Sequence, residues 1–290
     1  MEIKVSVPGS CGELVQGTRQ GVPFLVTCPV DLYTHVTVTD RMRDLTGLGA
    51  KAQAALRRVL RYLGEDSFPY GLSLASELPI GKGMASSSAD IAAVCFAVAA
   101  ALDRPLTAPE VSRIAAGIEP TDGVFFPGIV RLNHMTGECL ESLGVFPSLK
   151  IAVFDTGGAV DTLEFHQRKD LDRLSQANEE RTDAALARLN RAENAVAIAQ
   201  AATESALANQ SILPKRDLAT IIETACSQGA LGVNAAHSGT ILGVLFPPDA
   251  DALAIEGCVH RLTEVFPHLD YLQSVRLISG GYTVQKREEL

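Results

Sequence analysis

Ten residues, Pro79-Ile80-Gly81-Lys82-Gly83-Met84-Ala85-Ser86-Ser87-Ser88, carry the strongest chemical signal in the chain. Gly81 and Gly83 let the backbone approach a charged ligand closely. The amides of a first helical turn, together with the positive end of the helix dipole, suit a phosphate chain. Ser86, Ser87 and Ser88 add hydroxyls at the same point, and Ser87 and Asp90 have capping-box spacing. Lys82 follows Gly81, but neither Ser nor Thr follows Lys82, so the P-loop pattern is absent and a P-loop ATPase is disfavoured. On local physics alone the same residues also describe an ordinary loop and cap ahead of a core helix.

A second segment, Gly117 to Leu132, sets Glu119 and Asp122 three residues apart around Pro120. Phosphoryl transfer to an alcohol needs an acceptor held in line, a metal that neutralises charge, and often a carboxylate to take the hydroxyl proton. Two acids on one tight turn can divide the last two tasks, although ordinary turn residues look the same. Asp122 precedes Gly123 and an apolar run, so it can point into a cleft backed by Phe125 and Phe126. An unperturbed aspartate, with a pKa of about 3.9, predicts late proton transfer and a role in orienting the hydroxyl. Two further glycine-bearing segments are VPGSCGELVQG, Val7 to Gly17, and GVNAAHSGTILGVLF, Gly232 to Phe246. They contribute Glu13, Cys11 and His237. Nothing near Cys11 marks it as an activated thiolate. Glu13 also fits a solvated turn, and His237 a structural histidine.

The elements that must position these residues divide the chain. Strand patterns cover Ile3 to Val7, Val22 to Cys28, Leu32 to Thr39 and Tyr70 to Ala75. Helices are expected over Leu48 to Leu63, which stops at Gly64, over Ser87 to Leu102, and after Thr107. Gly128 to Leu143 reads as a hairpin turning at Met135-Thr136-Gly137, and Leu149 to Asp155 as a buried strand. Composition then changes. Asp170 to Asn209 predicts a pair of amphipathic helices, followed by a helix over Pro214 to Gln228. Strands Ala230 to Ala235 and Thr240 to Phe246, a helix over Asp249 to Val265 and a last strand at Val275 to Ser279 complete the pattern. A β-rich half, residues 1–148, is expected to meet an α+β half, residues 149–290.

The 290 residues suit two domains, and 47% hydrophobic against 20% charged residues is enough for a sizeable core. A net charge of −9 makes nucleic acid and anionic membranes poor partners. The six cysteines lack Cys-x-x-Cys pairs and zinc spacing, and read as buried thiols of a reducing compartment. The N-terminus lacks a secretory pattern, and the longest apolar run, Ile91 to Leu102, falls short of the roughly 20 residues that span a bilayer. A cytoplasmic protein follows, of undetermined oligomeric state.

Pro79, Gly83, Ser86 and Ser87 fall at the positions of the second GHMP kinase motif, Pro-x-x-x-Gly-Leu-Gly-Ser-Ser-Ala, which the segment resembles. Met84 replaces the leucine, Ala85 the second glycine and Ser88 the alanine. Val7 to Gly17 stands where the first motif is expected and is similar to the Gly-Ser-Cys-Gly-Glu form of the threonine kinases associated with cobalamin synthesis. His237-Ser238-Gly239-Thr240 stands at the third motif and resembles the same branch. The resemblance implies an α+β GHMP kinase fold, with an N-terminal half like ribosomal protein S5 domain 2, a ferredoxin-like C-terminal half and ATP between them. It implies nucleotide contacts from Pro79, Gly81, Lys82, Gly83, Met84, Ala85, Ser86, Ser87 and Ser88. It further implies Mg²⁺ on Ser87 and Glu119, and Asp122 as the catalytic carboxylate. For the amino-acid acceptor, expected to be L-threonine, the candidates are Glu13, Asp31, Arg131, His237, Ser238 and Gly239. Homoserine kinase, and a nucleotide-binding protein without turnover, remain the alternatives.

Overall fold

The computed structural model describes residues 1–41, 43–158 and 167–287. Its frame is one long antiparallel hairpin, β1 (Glu2–Arg19) and β2 (Val22–Thr39), paired from Arg19 opposite Val22 to Glu2 opposite Thr39. The turn residues Gln20 and Gly21 both have positive φ, the left-handed backbone that matches strand twist in a tight hairpin. The sequence divides this second strand at Pro29–Asp31, but the strand runs through. Register shifts between Pro8 and Gly9 and between Ser10 and Glu13 absorb the irregular residues.

Helix α1 (Ala50–Leu63) buries Ala52, Leu56, Val59 and Leu63 and ends at Gly64 in the left-handed region. β3 (Leu45–Thr46) and β4 (Gly71–Ser76) flank it in sequence. Helix α2 (Ser86–Ala101) is apolar on all faces and almost wholly buried, as such a composition requires. The amide of Thr107 donates to the Glu110 carboxylate at 2.8 Å, closing the start of α3 (Ala108–Ala116). β5 (Ile129–Asn133) and β6 (Glu138–Gly144) form the expected hairpin, and β7 (Lys150–Asp155) the expected buried strand.

Between 170 and 209 the pair of helices expected from composition is instead three, α4 (Leu171–Ala177), α5 (Glu179–Leu189) and α6 (Ala195–Ala208). Asn178 ends α4 and begins α5, a break that a charge-rich run hides. Asn194 caps α6 by accepting from the Ala197 amide at 2.9 Å. α7 (Leu218–Ser227), β8 (Gly232–Ala235), β9 (Ile241–Phe246), α8 (Ala252–Val265) and β10 (Asp270–Arg276) follow. A strand absent from the sequence reading, β11 (Thr283–Arg287), pairs with Glu2 to Ser6 of β1. Its side chains are exposed, so no apolar alternation announces it.

The sheet runs β10-β7-β9-β8-β1-β2-β4-β3, with β11 on β1 and β5 on β2. β7 begins just past the 148/149 division, and the sheet crosses that division where Glu13 of β1 pairs with Ala235 of β8. One apolar cluster fills the space under α1 and α2 and extends to α5 and α6. A second lies under α7 and α8. Among the described residues no helix is long and apolar enough to cross a membrane.

Candidate active site

Backbone hydrogen bonds bring the three glycine-bearing segments together. Ser10 and Gly12 of β1 donate their amides to the carbonyls of Met84 and Gly83, at 3.0 and 3.2 Å. From the other side Thr240 and Ile241 donate to the Lys82 carbonyl at 2.9 and 3.0 Å. The loop before α2 is thus gripped between β1 and the turn before β9. The grip requires glycine at two points. A Cβ on Gly83 would lie 2.4 Å from the Ala236 methyl, and one on Gly239 would lie 2.5 Å from the Gly83 Cα.

Ala85 then turns the chain into α2 with φ 55° and ψ 24°, left-handed values that cost a residue with a Cβ about 1–2 kcal/mol. Ala85 itself is the N-cap and no side chain caps the helix, so the capping box expected from Ser87 and Asp90 does not form. Asp90 instead accepts from the Thr34 hydroxyl at 2.8 Å. The first-turn amides of α2 are thus left without a side-chain acceptor beside the cleft.

Gly81, Gly83, Met84, Ala85, Ser86, Ser87 and Ser88 line one wall of a cleft of about 220 Å³. Glu119, Pro120, Thr121 and Asp122 also line the cleft, beside the loop, together with Glu13, Gln16, Lys51, His134 and Ser238. Asp122 is half-buried and tied to the loop. The Ser88 hydroxyl donates to Asp122 Oδ2 at 2.9 Å and accepts from the Asp122 amide at 3.0 Å. Burial pushes the Asp122 carboxyl up to about 7, with Glu13 and, more weakly, Glu119 adding repulsion and Ser88 opposing. The weak base that the sequence implies is therefore corrected to one that titrates near neutrality, because burial, and then the neighbouring Glu13 and Glu119 carboxylates, disfavour its charge.

Glu13 is buried, and its Oε2 accepts from the His237 amide at 2.8 Å and lies 3.2 Å from His237 Nδ1. His237 Nε2 lies 3.0 Å from the Ser205 hydroxyl. His237 is therefore turned inward as the anchor of Glu13, while Ser238 faces the cleft. Gly239 offers its carbonyl to the Lys215 ammonium. Lys215 is a buried cation that sequence reasoning missed. Burial pulls it down to about 8, opposed by Glu13 and Asp155.

Other candidates are placed elsewhere. Lys82 turns out of the loop to Asp155 Oδ2, at 2.6 Å, and the Gly158 carbonyl, at 2.7 Å. Burial alone would raise Asp155, but Lys82, Thr240 and the Gly157 amide outweigh it and hold the carboxyl low. Asp31 accepts from the Arg276 amide at 2.7 Å and lines a separate groove beside α8 and β10. Arg131 pairs with Glu141 at 3.2 Å and lies over the Phe24 ring. The fold does not bring Asp31 or Arg131 to the cleft. Pro79 precedes the cleft-lining part of the loop. The Cys11 thiol is buried and pushed far up, by burial first and Glu13 second, as expected of an unreactive sulfur. Cys226, by contrast, is exposed and Cys139 half-exposed, against the expectation that all six are buried.

Lys51 also escaped the sequence reading, since a lysine on an amphipathic helix has no local mark. Its ammonium lies 3.1 Å from Ser87 Oγ and 2.5 Å from Glu119 Oε2. One hydroxyl and one carboxylate are the donor set that a Mg²⁺ ion keeping waters and phosphate oxygens would take from a protein. Among the described residues no group of three or more His, Cys, Asp or Glu could hold a metal unaided.

The GHMP kinases N terminal domain model matches residues 50–126, which span α1, the glycine loop, α2 and the Glu119–Asp122 turn. The L-threonine kinase of Citrobacter freundii is 31% identical over 96% of this chain and 98% of its own. The chain belongs to the GHMP kinases. The L-threonine kinase of Salmonella typhimurium (strain LT2) is 29% identical over 96% of this GHMP kinase and 94% of its own length. A solved mevalonate kinase superposes with a TM-score of 0.69 at 12% identity, over 96% of this chain and 99% of its own, which shows the shared α+β fold. As a member of this family the protein is a phosphotransferase.

Proposed function

We propose that this GHMP kinase transfers the γ-phosphoryl group of Mg-ATP to the side-chain hydroxyl of L-threonine, giving O-phospho-L-threonine for the aminopropanol linker of cobalamin. The observation that carries the choice of acceptor is the near-full-length similarity to two proteins named L-threonine kinase. The cleft supports the reaction type. Its glycine loop presents first-turn amides of α2 where a triphosphate can lie. Ser87 and Glu119 would hold Mg²⁺, which when bound supplies positive charge against the phosphate oxygens.

Asp122 then takes the hydroxyl proton as the oxygen attacks phosphorus. A value of about 7 makes it a base matched to neutral pH, and Ser88 fixes the direction of its lone pairs. Glu13, held by His237, offers negative charge to the substrate ammonium. Ser238 contributes a hydroxyl from the opposite half.

The test is an acceptor screen at saturating Mg-ATP over threonine, serine, homoserine, mevalonate and common sugars. Threonine should be the fastest acceptor. Homoserine carries its hydroxyl one carbon farther from the amino-acid head and should be misplaced for in-line attack. Faster phosphorylation of homoserine would move the assignment to homoserine kinase, and no ADP release with any acceptor would leave a nucleotide-binding protein.

A further inference from the structure

Three carboxylates, Glu13, Glu119 and Asp122, line the cleft that is to receive a triphosphate, and Lys51 is the one lysine or arginine among the described residues lining it. The Glu119 side chain is 3% exposed, while that of Lys51 is 42% exposed. Beyond the Lys51 ion pair, neither Glu119 oxygen has a hydrogen-bond partner among the described residues. A buried carboxylate in that position is costly without a cation, and more so with two like charges nearby. Lys51 therefore satisfies a fixed electrostatic need. It does so at Ser87 Oγ and Glu119 Oε2, the same two oxygens assigned to the metal.

Both cations cannot hold those oxygens at once. Mg²⁺ takes oxygen ligands at about 2.0–2.1 Å and demands their lone pairs, and its charge repels an ammonium at hydrogen-bond distance. We propose that Lys51 is an exchangeable counter-ion of the catalytic cleft: it occupies the metal's protein ligands and yields them to a divalent cation that arrives with the nucleotide. This rests on the reading of Ser87 and Glu119 as the metal ligands. The exposed stem of Lys51 gives the ammonium room to leave, whereas Glu119 is fixed on its turn. A metal arriving alone must displace Lys51 with nothing to replace the lost pair. A metal arriving on a triphosphate brings several negative oxygens to which the released ammonium can turn. The exchange thus favours the metal–nucleotide complex over the free metal and couples the two ligands.

Binding of Mn²⁺ to the full chain without nucleotide, followed by the electron paramagnetic resonance of free Mn²⁺, tests this without reference to turnover. If Lys51 holds the ligands about 90% of the time, Lys51→Met should bind Mn²⁺ about tenfold tighter than wild type. Lys51→Arg should stay close to wild type, and the gain should vanish in Lys51→Met/Glu119→Gln. Adding a non-hydrolysable ATP analogue should tighten Mn²⁺ binding more in wild type than in Lys51→Met. Should Lys51→Met fail to fold by circular dichroism, Lys51→Gln serves in its place with the same expected sign. Unchanged or weaker Mn²⁺ binding in a folded neutral variant overturns the exchange. If, in that case, Glu119→Gln alone still weakens binding of the Mn²⁺–analogue complex, the metal reading stands and the exchange alone is wrong. Should Glu119→Gln leave that complex unaffected, the metal reading fails and takes the proposal with it.

Discussion

The glycine loop and the acidic turn meet in one cleft but are built in opposite ways. The loop, Gly81 to Ser88, works through its backbone. Its carbonyls are held by Ser10, Gly12, Thr240 and Ile241, and the helix behind it supplies the amides. Its glycines matter by what they lack, as at Gly83, while the Ser87 and Ser88 hydroxyls are its links to the turn. The turn, Glu119 to Asp122, works through charge. Its properties depend on Glu13 from β1, Ser88 and Lys51, side chains far apart in sequence. Short-range geometry suffices to place a row of backbone groups, whereas shifting the titration of a carboxylate needs several ionisable groups collected by the fold.

The sharpest way to break this contrast is at Asp122. Asp122→Asn should slow the chemical step by about 10²–10⁴-fold in single-turnover measurements, with nucleotide affinity little changed. The same variant should be more stable than wild type at pH 8. The folded-state value of about 7 lies above the ordinary 3.8, so the folded protein binds this proton more tightly than the unfolded chain does. The cost of the buried carboxylate is absent below the unfolded value and complete above about 7. Thermal melting at pH 8 and pH 4 should therefore differ in sign of benefit or in size, with the gain confined to the higher pH. An Asp122→Asn enzyme within a few-fold of wild type would remove the base and leave positioning alone.

The pH profile reads the electrostatics directly. kcat/KM should fall about tenfold per unit below a value near 7, as Asp122 takes up a proton and can no longer accept one. Glu13→Gln removes the stronger of the two repelling charges and should move that limb to lower pH. An unmoved limb would show that Glu13 does not tune Asp122.

Ser87→Ala tests the junction between the two regions. Losing one oxygen ligand, taken as equivalent to a hydrogen bond to a charged group, should raise the Mg²⁺ concentration for half-maximal rate by about tenfold or more. A magnesium dependence equal to wild type would take Ser87 out of the metal site.

The smallest expected effect lies in the loop backbone. Ala85→Gly relieves a left-handed alanine but adds freedom to the unfolded chain, so the net gain should be less than about 1 kcal/mol. Differential scanning calorimetry should register a rise of no more than a few degrees, with turnover unchanged within a few-fold. A fall in stability would mean that the Ala85 methyl contributes packing that outweighs its strain.

Much of this architecture was legible before any coordinates. Gly64 after an amphipathic run, the apolar run into Leu102 and the Met135-Thr136-Gly137 turn each announce an element through local chemistry, and each is found within a residue or two of its expected place. The glycine loop and the Glu119–Asp122 turn were legible as candidates for the same reason. The helix break at Asn178 and strand β11 were not, because neither leaves an apolar pattern behind. Asp31 and Arg131 lie away from the cleft because nearness to a motif in sequence says nothing about which way a strand residue faces.

What the sequence alone determined is therefore the set of short-range features: glycines where the backbone must turn or pass closely, apolar periods, and acids beside a proline turn. These follow from sterics and hydrogen bonding within a few residues, which the order of amino acids already specifies. Tertiary structure alone decided that Lys51 meets Ser87 and Glu119, that His237 holds Glu13, that Lys215 lies beneath Gly239 and that Asp122 titrates near 7. Those properties depend on through-space Coulomb interactions and burial among residues up to 224 positions apart, as for Glu13 and His237, and only the closed fold sets those distances.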